Sequence, residues 1–114
     1  SMENFQDAIG MLSTFYYLIL KVNLTTDSYL ILKDGFNDGE TCFNSLTSFS
    51  ARLHSFADRN YVYEEDKKDY LEFCNTKRLK QAFSEGSKQE TIRYRRRFGN
   101  EFKWVSISMM CSEE

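Results

Sequence analysis

Few residues in this sequence have the type and spacing that enzyme chemistry needs. His54 is the only histidine, and the chain contains no His-Glu-x-x-His motif and no glycine-rich loop that could hold a phosphate. Glu64 and Glu65 form a carboxylate pair, but acids in this position are typical of the solvated first turn of a helix. We therefore expect no catalytic residues and no enzymatic activity.

The cysteines do not indicate a metal site. Cys42, Cys74 and Cys111 are odd in number, widely spaced and match no zinc-binding pattern. We expect reduced and mostly buried thiols in a cytoplasmic protein, and no metal ligands.

A cluster of arginines and aromatic residues offers the clearest binding chemistry. The stretch YRRRFGNEFKW, residues 94–104, follows Arg93 and could combine phosphate contacts with base stacking. In a β-strand, however, alternation sends these arginines to both faces. The whole chain carries a net charge of −2, so we expect a solvated sheet face and no nucleic-acid partner.

The composition indicates one folded domain. Hydrophobic residues make up 41% of the 114 residues and charged residues 28%, as in globular proteins. Residues 15–20 form the longest apolar run, which is too short to span a bilayer, so we expect no membrane contact. The N-terminus has no basic region leading into an apolar stretch, so we expect no secretory signal, and we exclude Ser1 and Met2 as a tag remnant.

Hydrophobic periodicity predicts the order helix, hairpin, several short helices, hairpin. Phe5, Ile9 and Leu12 form one stripe of an N-terminal helix over residues 1–13. Residues 15–24 and 29–33 are rich in aromatic and branched side chains and flank a polar turn, which predicts a β-hairpin. Apolar residues spaced by three or four then predict helices between residues 43 and 86, one of them capped by Asn75 or Thr76 and ended by Gly86.

The last segment predicts a second hairpin around a Gly99-Asn100 turn. Such a turn places Tyr94 opposite Val105 and Ile92 opposite Ile107. On the other face Arg95 meets Trp104 and Arg97 meets Phe102, which allows cation–π contacts. The expected fold class is α+β with an antiparallel sheet.

The order of these elements and the closing hairpin resemble the PAS domain family of bacterial signalling proteins. The family's closing hairpin carries Tyr-Arg, a glycine-containing turn, then an aromatic residue, a basic residue and Trp-Val. Here these are Tyr94-Arg95, Gly99-Asn100-Glu101 and Phe102-Lys103-Trp104-Val105. The first hairpin resembles the family's opening strand pair. Tyr61 to Asp66 resembles its Val-x-Pro-x-Asp stretch, with Tyr63 at the usual proline.

The resemblance covers about residues 14–112, so we take 14–114 as a PAS-like domain after the N-terminal helix. It implies five antiparallel strands with helices on one face, and a sensory or dimerising role. It also implies a covalently linked output domain, such as a histidine kinase or diguanylate cyclase, that is absent from this sequence. Haem is not supported, because haem-binding members of the family carry their histidine on the helix before the closing hairpin, and the corresponding residues 75–86 contain none. Flavin is not supported either, because the residues around Cys74 do not match those around the reactive cysteine of the family's flavin-binding photosensors. The cofactor is therefore unknown.

Two sets of site residues follow from this interpretation. A cavity for an unidentified small molecule would be lined by Phe49, Leu53, Phe83, Tyr94, Arg96, Lys103, Val105 and Ile107. Arg96 and Lys103 would anchor an acidic ligand; alternatively, both reach water near the turn, which we favour because long basic side chains readily do so. Helix docking or homodimerisation would use Phe5, Ile9, Leu12, Phe102 and Trp104.

Three roles therefore remain open. The chain is a ligand-binding sensor, a ligand-free interaction module filled by its own aromatic residues, or, as the third choice, a nucleic-acid-binding domain. Residues 111–114 are too few for the family's fifth strand, which lies centrally in the sheet. We therefore expect either that the two hairpins close on each other or that a second copy supplies the pairing, and we prefer the second copy.

Overall fold

The computed structural model describes residues 18–34 and 47–111, and it divides the chain into two compact units, Ser1–Ser48 and Phe49–Glu114. The described elements are α-helices and antiparallel strands, so the α+β class is confirmed. The described strands form two separate two-stranded sheets. The expected N-terminal helix and the predicted Phe5, Ile9 and Leu12 stripe lie outside the described residues. A single PAS-like sheet that has helices on one face and lacks the family's last strand stays a prediction.

The first unit contains the predicted opening hairpin. Strand β1 (Leu18–Asn23) pairs antiparallel with β2 (Ser28–Asp34), with a register shift between Ile19 and Leu20. The Asn23 side chain accepts hydrogen bonds from the backbone N–H groups of Thr25 and Thr26 at 3.0 and 3.1 Å. Asp27 takes a left-handed conformation, with φ 57°, which aspartate tolerates better than most residues. Side-chain capping therefore fixes the turn locally.

The second unit begins with three helices that pack around a small core. They are α1 (Phe49–Asp58), α2 (Lys67–Phe73) and α3 (Thr76–Ser84), with a 3₁₀ turn over Glu64–Asp66 before α2. After the last residue of α1, Asn60 adopts a left-handed conformation, with φ 63°, which lets Tyr61 N–H reach back to the Phe56 carbonyl at 3.2 Å.

Helix α3 is bounded by the predicted caps. The Asn75 side chain accepts from the N–H groups of Lys77 and Arg78 at 3.0 and 3.2 Å. Gly86, with φ 103°, closes the other end, where Ser87 N–H donates to the Ala82 carbonyl. Of the two predicted N-cap candidates, Asn75 caps the helix and Thr76 is its first residue, and the predicted end at Gly86 is confirmed.

The closing hairpin has the predicted register. Strand β3 (Gln89–Phe98) pairs with β4 (Glu101–Met110) without interruption, with Tyr94 opposite Val105 and Arg95 opposite Trp104. The two-residue turn works because Gly99 adopts φ 62°, a value that favours glycine.

The core of the second unit is filled by its own large side chains. Tyr70, Leu79, Val62 and Cys74 are the largest fully buried residues. The Tyr70 hydroxyl donates to the Leu53 carbonyl at 3.2 Å, and the Tyr70 and Tyr94 rings lie 5.0 Å apart. These contacts join α1, α2 and β3 around one aromatic centre.

A clamp centred on Arg78 attaches the helices to the hairpin. Its guanidinium donates to the carbonyls of Glu72 and Phe73 at 3.1 and 2.8 Å and to the Glu90 carboxylate at 2.8 Å. These hydrogen bonds, together with one from Ser87, hold the pKa of the Glu90 carboxyl below its usual value. The end of α2, the start of α3 and the start of β3 are thereby fixed relative to one another.

Candidate functional site

Four side chains on the outer face of the closing hairpin and one from the segment before the 3₁₀ turn form one continuous surface. Arg93 and Arg95 lie 5.3 and 4.9 Å from the centre of the Trp104 ring. Arg95 also stacks on Tyr63 at 4.0 Å, and Tyr63 meets the edge of Phe102 at 5.1 Å. We call this set, Tyr63, Arg93, Arg95, Phe102 and Trp104, the arginine–aromatic face.

This face is exposed, as the sequence predicted. Trp104 is 56% exposed and Phe102 is 41% exposed, although both are large and apolar. The alternation of β3 and β4 produces this arrangement, because residues at every second position share one side of the sheet. Of the predicted docking residues, the structure therefore brings Phe102 and Trp104 together.

Asp66 fixes the position of Arg95. The carboxylate accepts from Arg95 Nε and Nη2, both at 2.9 Å, and from the Arg95 backbone N–H at 2.8 Å. These hydrogen bonds hold the pKa of the Asp66 carboxyl below its usual value and raise the pKa of Arg95. Such a bidentate pair orients the guanidinium plane as well as neutralising it. Glu65 lies farther away, at 3.9 Å from Arg95 Nη2.

The segment between α1 and the 3₁₀ turn supplies Tyr63. Val62 forms an isolated antiparallel bridge with Arg96, in which Tyr63 N–H donates to the Arg95 carbonyl at 2.9 Å and Arg97 N–H donates to the Tyr61 carbonyl at 2.8 Å. The sequence analysis missed the roles of Tyr63 and Asp66. The alternating Tyr61-Val62-Tyr63 was the available signal, since it is the pattern of a short extended segment.

The residues predicted to line a ligand cavity occupy a packed interior and its border. Phe49, Leu53 and Tyr94 are buried, while Phe83, Val105 and Ile107 are half-buried. Lys103 is exposed. Burial raises the pKa values of the Tyr70 and Tyr94 hydroxyls well above their ordinary range, so both stay neutral.

Arg96 corrects one expectation. We expected Arg96 and Lys103 both to reach water near the turn, which holds for Lys103, but Arg96 is only 3% exposed. Its guanidinium carbon lies 4.3 Å from the centre of the Phe98 ring and 5.2 Å from that of Phe56, and Nη1 donates to the Arg97 carbonyl at 3.1 Å. The expectation failed because the bridge at Val62 brings Tyr61 over this end of the sheet.

Two concavities in the described part of the chain lie elsewhere. One, of about 330 Å³, is lined by Ser50, His54, Leu71, Cys74, Asn75, Thr76 and Lys77. The other runs along α3 and is lined by Asn75, Lys77, Arg78, Gln81, Ala82 and Glu85. Neither includes a residue that was predicted to bind a ligand. The N-terminus of α3 in the first groove is occupied by its own cap, Asn75.

The cysteines differ in environment. Cys74 is buried, and that burial raises the pKa of its thiol to about 12, so the thiol is protonated at neutral pH. Cys111 is exposed, so the expectation of mostly buried thiols is wrong for this residue; it follows the last β4 residue, where packing ends. Cys42 lies outside the described residues. His54 is exposed.

Neither metal binding nor membrane insertion has a structural signal in residues 18–34 and 47–111. No group of three His, Cys, Asp or Glu residues is placed to hold a metal ion there. None of the helices in the same ranges is long and apolar enough to cross a membrane.

Charge is unevenly distributed along the chain. Residues 1–48 contain two Lys and Arg against six Asp and Glu, whereas residues 49–111 contain thirteen against nine. The small net charge of the whole chain therefore conceals an acidic first part and a basic second part, and the arginine–aromatic face belongs to the basic part.

Comparison with protein-family models, with curated proteins and with solved structures finds no match for this chain. We therefore infer the function from the chemistry of the site itself.

Proposed function

We propose that this chain is a PAS-like regulatory module that acts through protein contacts on its arginine–aromatic face. Through these contacts it would control an output domain of the same polypeptide, of the histidine kinase or diguanylate cyclase type that the resemblance implies. The observation that carries the proposal is the exposure of Trp104 and Phe102 beside Arg95, which Asp66 holds in place, and beside Arg93, which lies over the Trp104 ring.

The chemistry of this face favours a protein partner. Trp, Tyr and Arg are the residues that most often dominate binding energy at protein interfaces. A partner would find the surface already ordered, because Asp66 holds Arg95 and Tyr63 stacks beneath it. Preorganisation of this kind reduces the entropy cost of association.

The partner that fits best is the N-terminal segment of a second copy. The sequence predicts a helix there whose apolar stripe is Phe5, Ile9 and Leu12, and whose charged residues are Glu3 and Asp7. An acidic segment with an apolar stripe complements a surface of arginines and aromatic rings. Homodimerisation therefore follows from the same face.

The proposal is tested by substituting Trp104 and a matched control. We expect Trp104→Ala to weaken self-association at least tenfold in sedimentation velocity, whereas Leu30→Ala should leave it unchanged. Leu30 is a fair control because it is also apolar and is 63% exposed.

A double-mutant cycle identifies the partner segment. If Phe5 of one copy meets Trp104 of the other, the effects of Phe5→Ala and Trp104→Ala on the dimer Kd are not additive. Additive effects, or equal losses from Trp104→Ala and Leu30→Ala, would contradict the assignment.

Small-ligand sensing is the second candidate, favoured by one observation. Arg96 is a cation buried between the Phe56 and Phe98 rings on the side of the sheet where a ligand was expected. A thermal-shift screen of small carboxylates separates the two functions. Stabilisation by one chemical class that is lost in Arg96→Lys supports sensing, and uniformly null results support the contact module.

A further inference from the structure

One edge of β4 carries a row of backbone groups that point away from its partner strand. The Arg95 carbonyl and the Arg97 N–H form hydrogen bonds with Tyr63 and Tyr61, so the backbone groups of odd-numbered β3 residues point away from β4. The backbone groups of even-numbered β3 residues therefore point towards β4. In the register these even-numbered residues lie opposite odd-numbered residues of β4, whose backbone groups therefore point towards β3. Cys111, also odd-numbered, follows the same pattern, since its N–H donates to the Lys88 carbonyl at 3.5 Å. The N–H and C=O groups of the even-numbered residues 102–110 therefore face outwards.

This edge lacks the features that usually prevent pairing. Within residues 18–34 and 47–111, β3 is the only strand that pairs with β4. Strand β4 is ten residues long, its pairing register is uninterrupted, and it contains no proline. Its two charged residues, Glu101 and Lys103, both lie near the turn, which leaves Trp104–Met110 uncharged. Natural proteins normally interrupt or charge such an edge.

We infer that β4 of a second copy pairs antiparallel with this edge, around a two-fold axis at Ile107. A chain that pairs with the outward N–H and C=O groups must be extended, and β4 itself is such a chain in every copy. A two-fold axis perpendicular to the sheet matches the edge with itself. The uncharged segment lets two copies meet without repulsion. The inference uses the backbone edge and the exposed side chains of β4, and it does not rest on the proposed function.

The register follows from the exposed apolar side chains. With Ile107 on the axis, Trp104 lies opposite Met110 of the other copy, and Ser106 lies opposite Ser108. Trp104 and Met110 are 56% and 52% exposed, so this register covers the two most exposed large apolar side chains of β4. A register centred on Ser106 would instead place Trp104 opposite Ser108 and cover less apolar surface.

Disulfide trapping tests the register. With the axis at Ile107, residue 103 faces Cys111 of the other copy in a pair without direct hydrogen bonds, where Cα atoms lie about 4.5 Å apart. That spacing suits a disulfide. In a Cys42→Ser background, oxidised glutathione should convert Lys103→Cys into a covalent dimer through Cys111.

The matched control is Glu101→Cys, which lies opposite Cys111 only in the register centred on Ser106. We expect no more than a background level of covalent dimer from this variant. Equal cross-linking of both variants, cross-linking of Glu101→Cys alone, or no cross-linking of Lys103→Cys would each overturn the inference.

A second test removes one outward N–H group without touching the bonds between β3 and β4. Ser106→Pro should raise the dimer Kd at least tenfold in sedimentation velocity, and Ser106→Ala should not. Circular dichroism checks that the fold is kept; the cysteine pair gives an answer even if the proline variant does not fold. A fully folded Ser106→Pro variant that dimerises like the wild type would overturn the inference.

Discussion

At the residue scale, Asp66 is the side chain on which the arginine–aromatic face depends most. It accepts three hydrogen bonds from Arg95, two from the guanidinium and one from the backbone. Without it, Arg95 would have no bidentate anchor to fix its plane against Trp104 and Tyr63. The acid therefore organises a surface of which it is not itself a member.

Replacing Asp66 by Asn should lower the melting temperature by roughly 5 °C, which corresponds to about 1 kcal/mol for a domain of this size. Glu65→Gln is the matched control, because Glu65 lies 3.9 Å from Arg95 and its side chain is 75% exposed. We expect that control to melt like the wild type. Equal shifts in both variants would show that general charge, and not the bidentate pair, stabilises the fold.

The same pair predicts a dependence of stability on pH. Hydrogen bonds from Arg95 hold the pKa of the Asp66 carboxyl below 3.8, its ordinary value. Its contribution is therefore present above about pH 4 and is lost as the pH falls through the lowered folded pKa. Urea unfolding at pH 6 and pH 3 should show the difference between wild type and Asp66→Asn shrinking at the lower pH; an unchanged difference would contradict the assignment.

The two described cysteines should differ in reactivity. Cys111 is exposed, whereas Cys74 is buried and its thiol has a pKa of about 12. Iodoacetamide at pH 8 should modify Cys111 within minutes and Cys74 only after unfolding. Peptide mass spectrometry measures both sites, and rapid labelling of Cys74 in the native protein would contradict its placement in the core.

At the element scale, helix α3 depends on its caps. Asn75→Ala removes two hydrogen bonds to the first helical turn and should cost about 1 kcal/mol of unfolding free energy. Asn75→Ser keeps a capping oxygen and should cost much less. Urea denaturation of both variants measures the difference, and equal losses would show that the cap does not stabilise α3.

Elements determined by local chemistry could be predicted from the sequence. The register of the closing hairpin follows from a two-residue turn and strand alternation, and the ends of α3 follow from Asn75 and Gly86. What could not be predicted depends on contacts across the chain. Tyr63 reaches the face through a bridge between Val62 and Arg96, which lie far apart in sequence.

Arg96 shows why side-chain environment is harder to predict than register. Its position on the hairpin was correct, but its burial depends on Phe56 and Tyr61, whose position no local pattern gives. A long basic side chain reaches water only where nothing covers it.

At the scale of the whole molecule, two features bear on the proposed self-association: the distribution of charge along the chain and the exposed surfaces of the closing hairpin. The chain is acidic before residue 49 and basic between residues 49 and 111. The basic part also carries the arginine–aromatic face and the outward edge of β4. We propose that self-association takes place at the closing hairpin, through the side chains of the arginine–aromatic face and through the backbone groups at the outward edge of β4.

Hydrogen–deuterium exchange of the full chain at low and high protein concentration tests most directly whether the chain associates through the closing hairpin. We expect the peptide covering residues 101–110 to exchange more slowly at high concentration, because outward amides of β4 become hydrogen-bonded. The peptide covering α3 should exchange at the same rate at both concentrations. Equal exchange of residues 101–110 at both concentrations, or protection confined to α3, would contradict association through the closing hairpin.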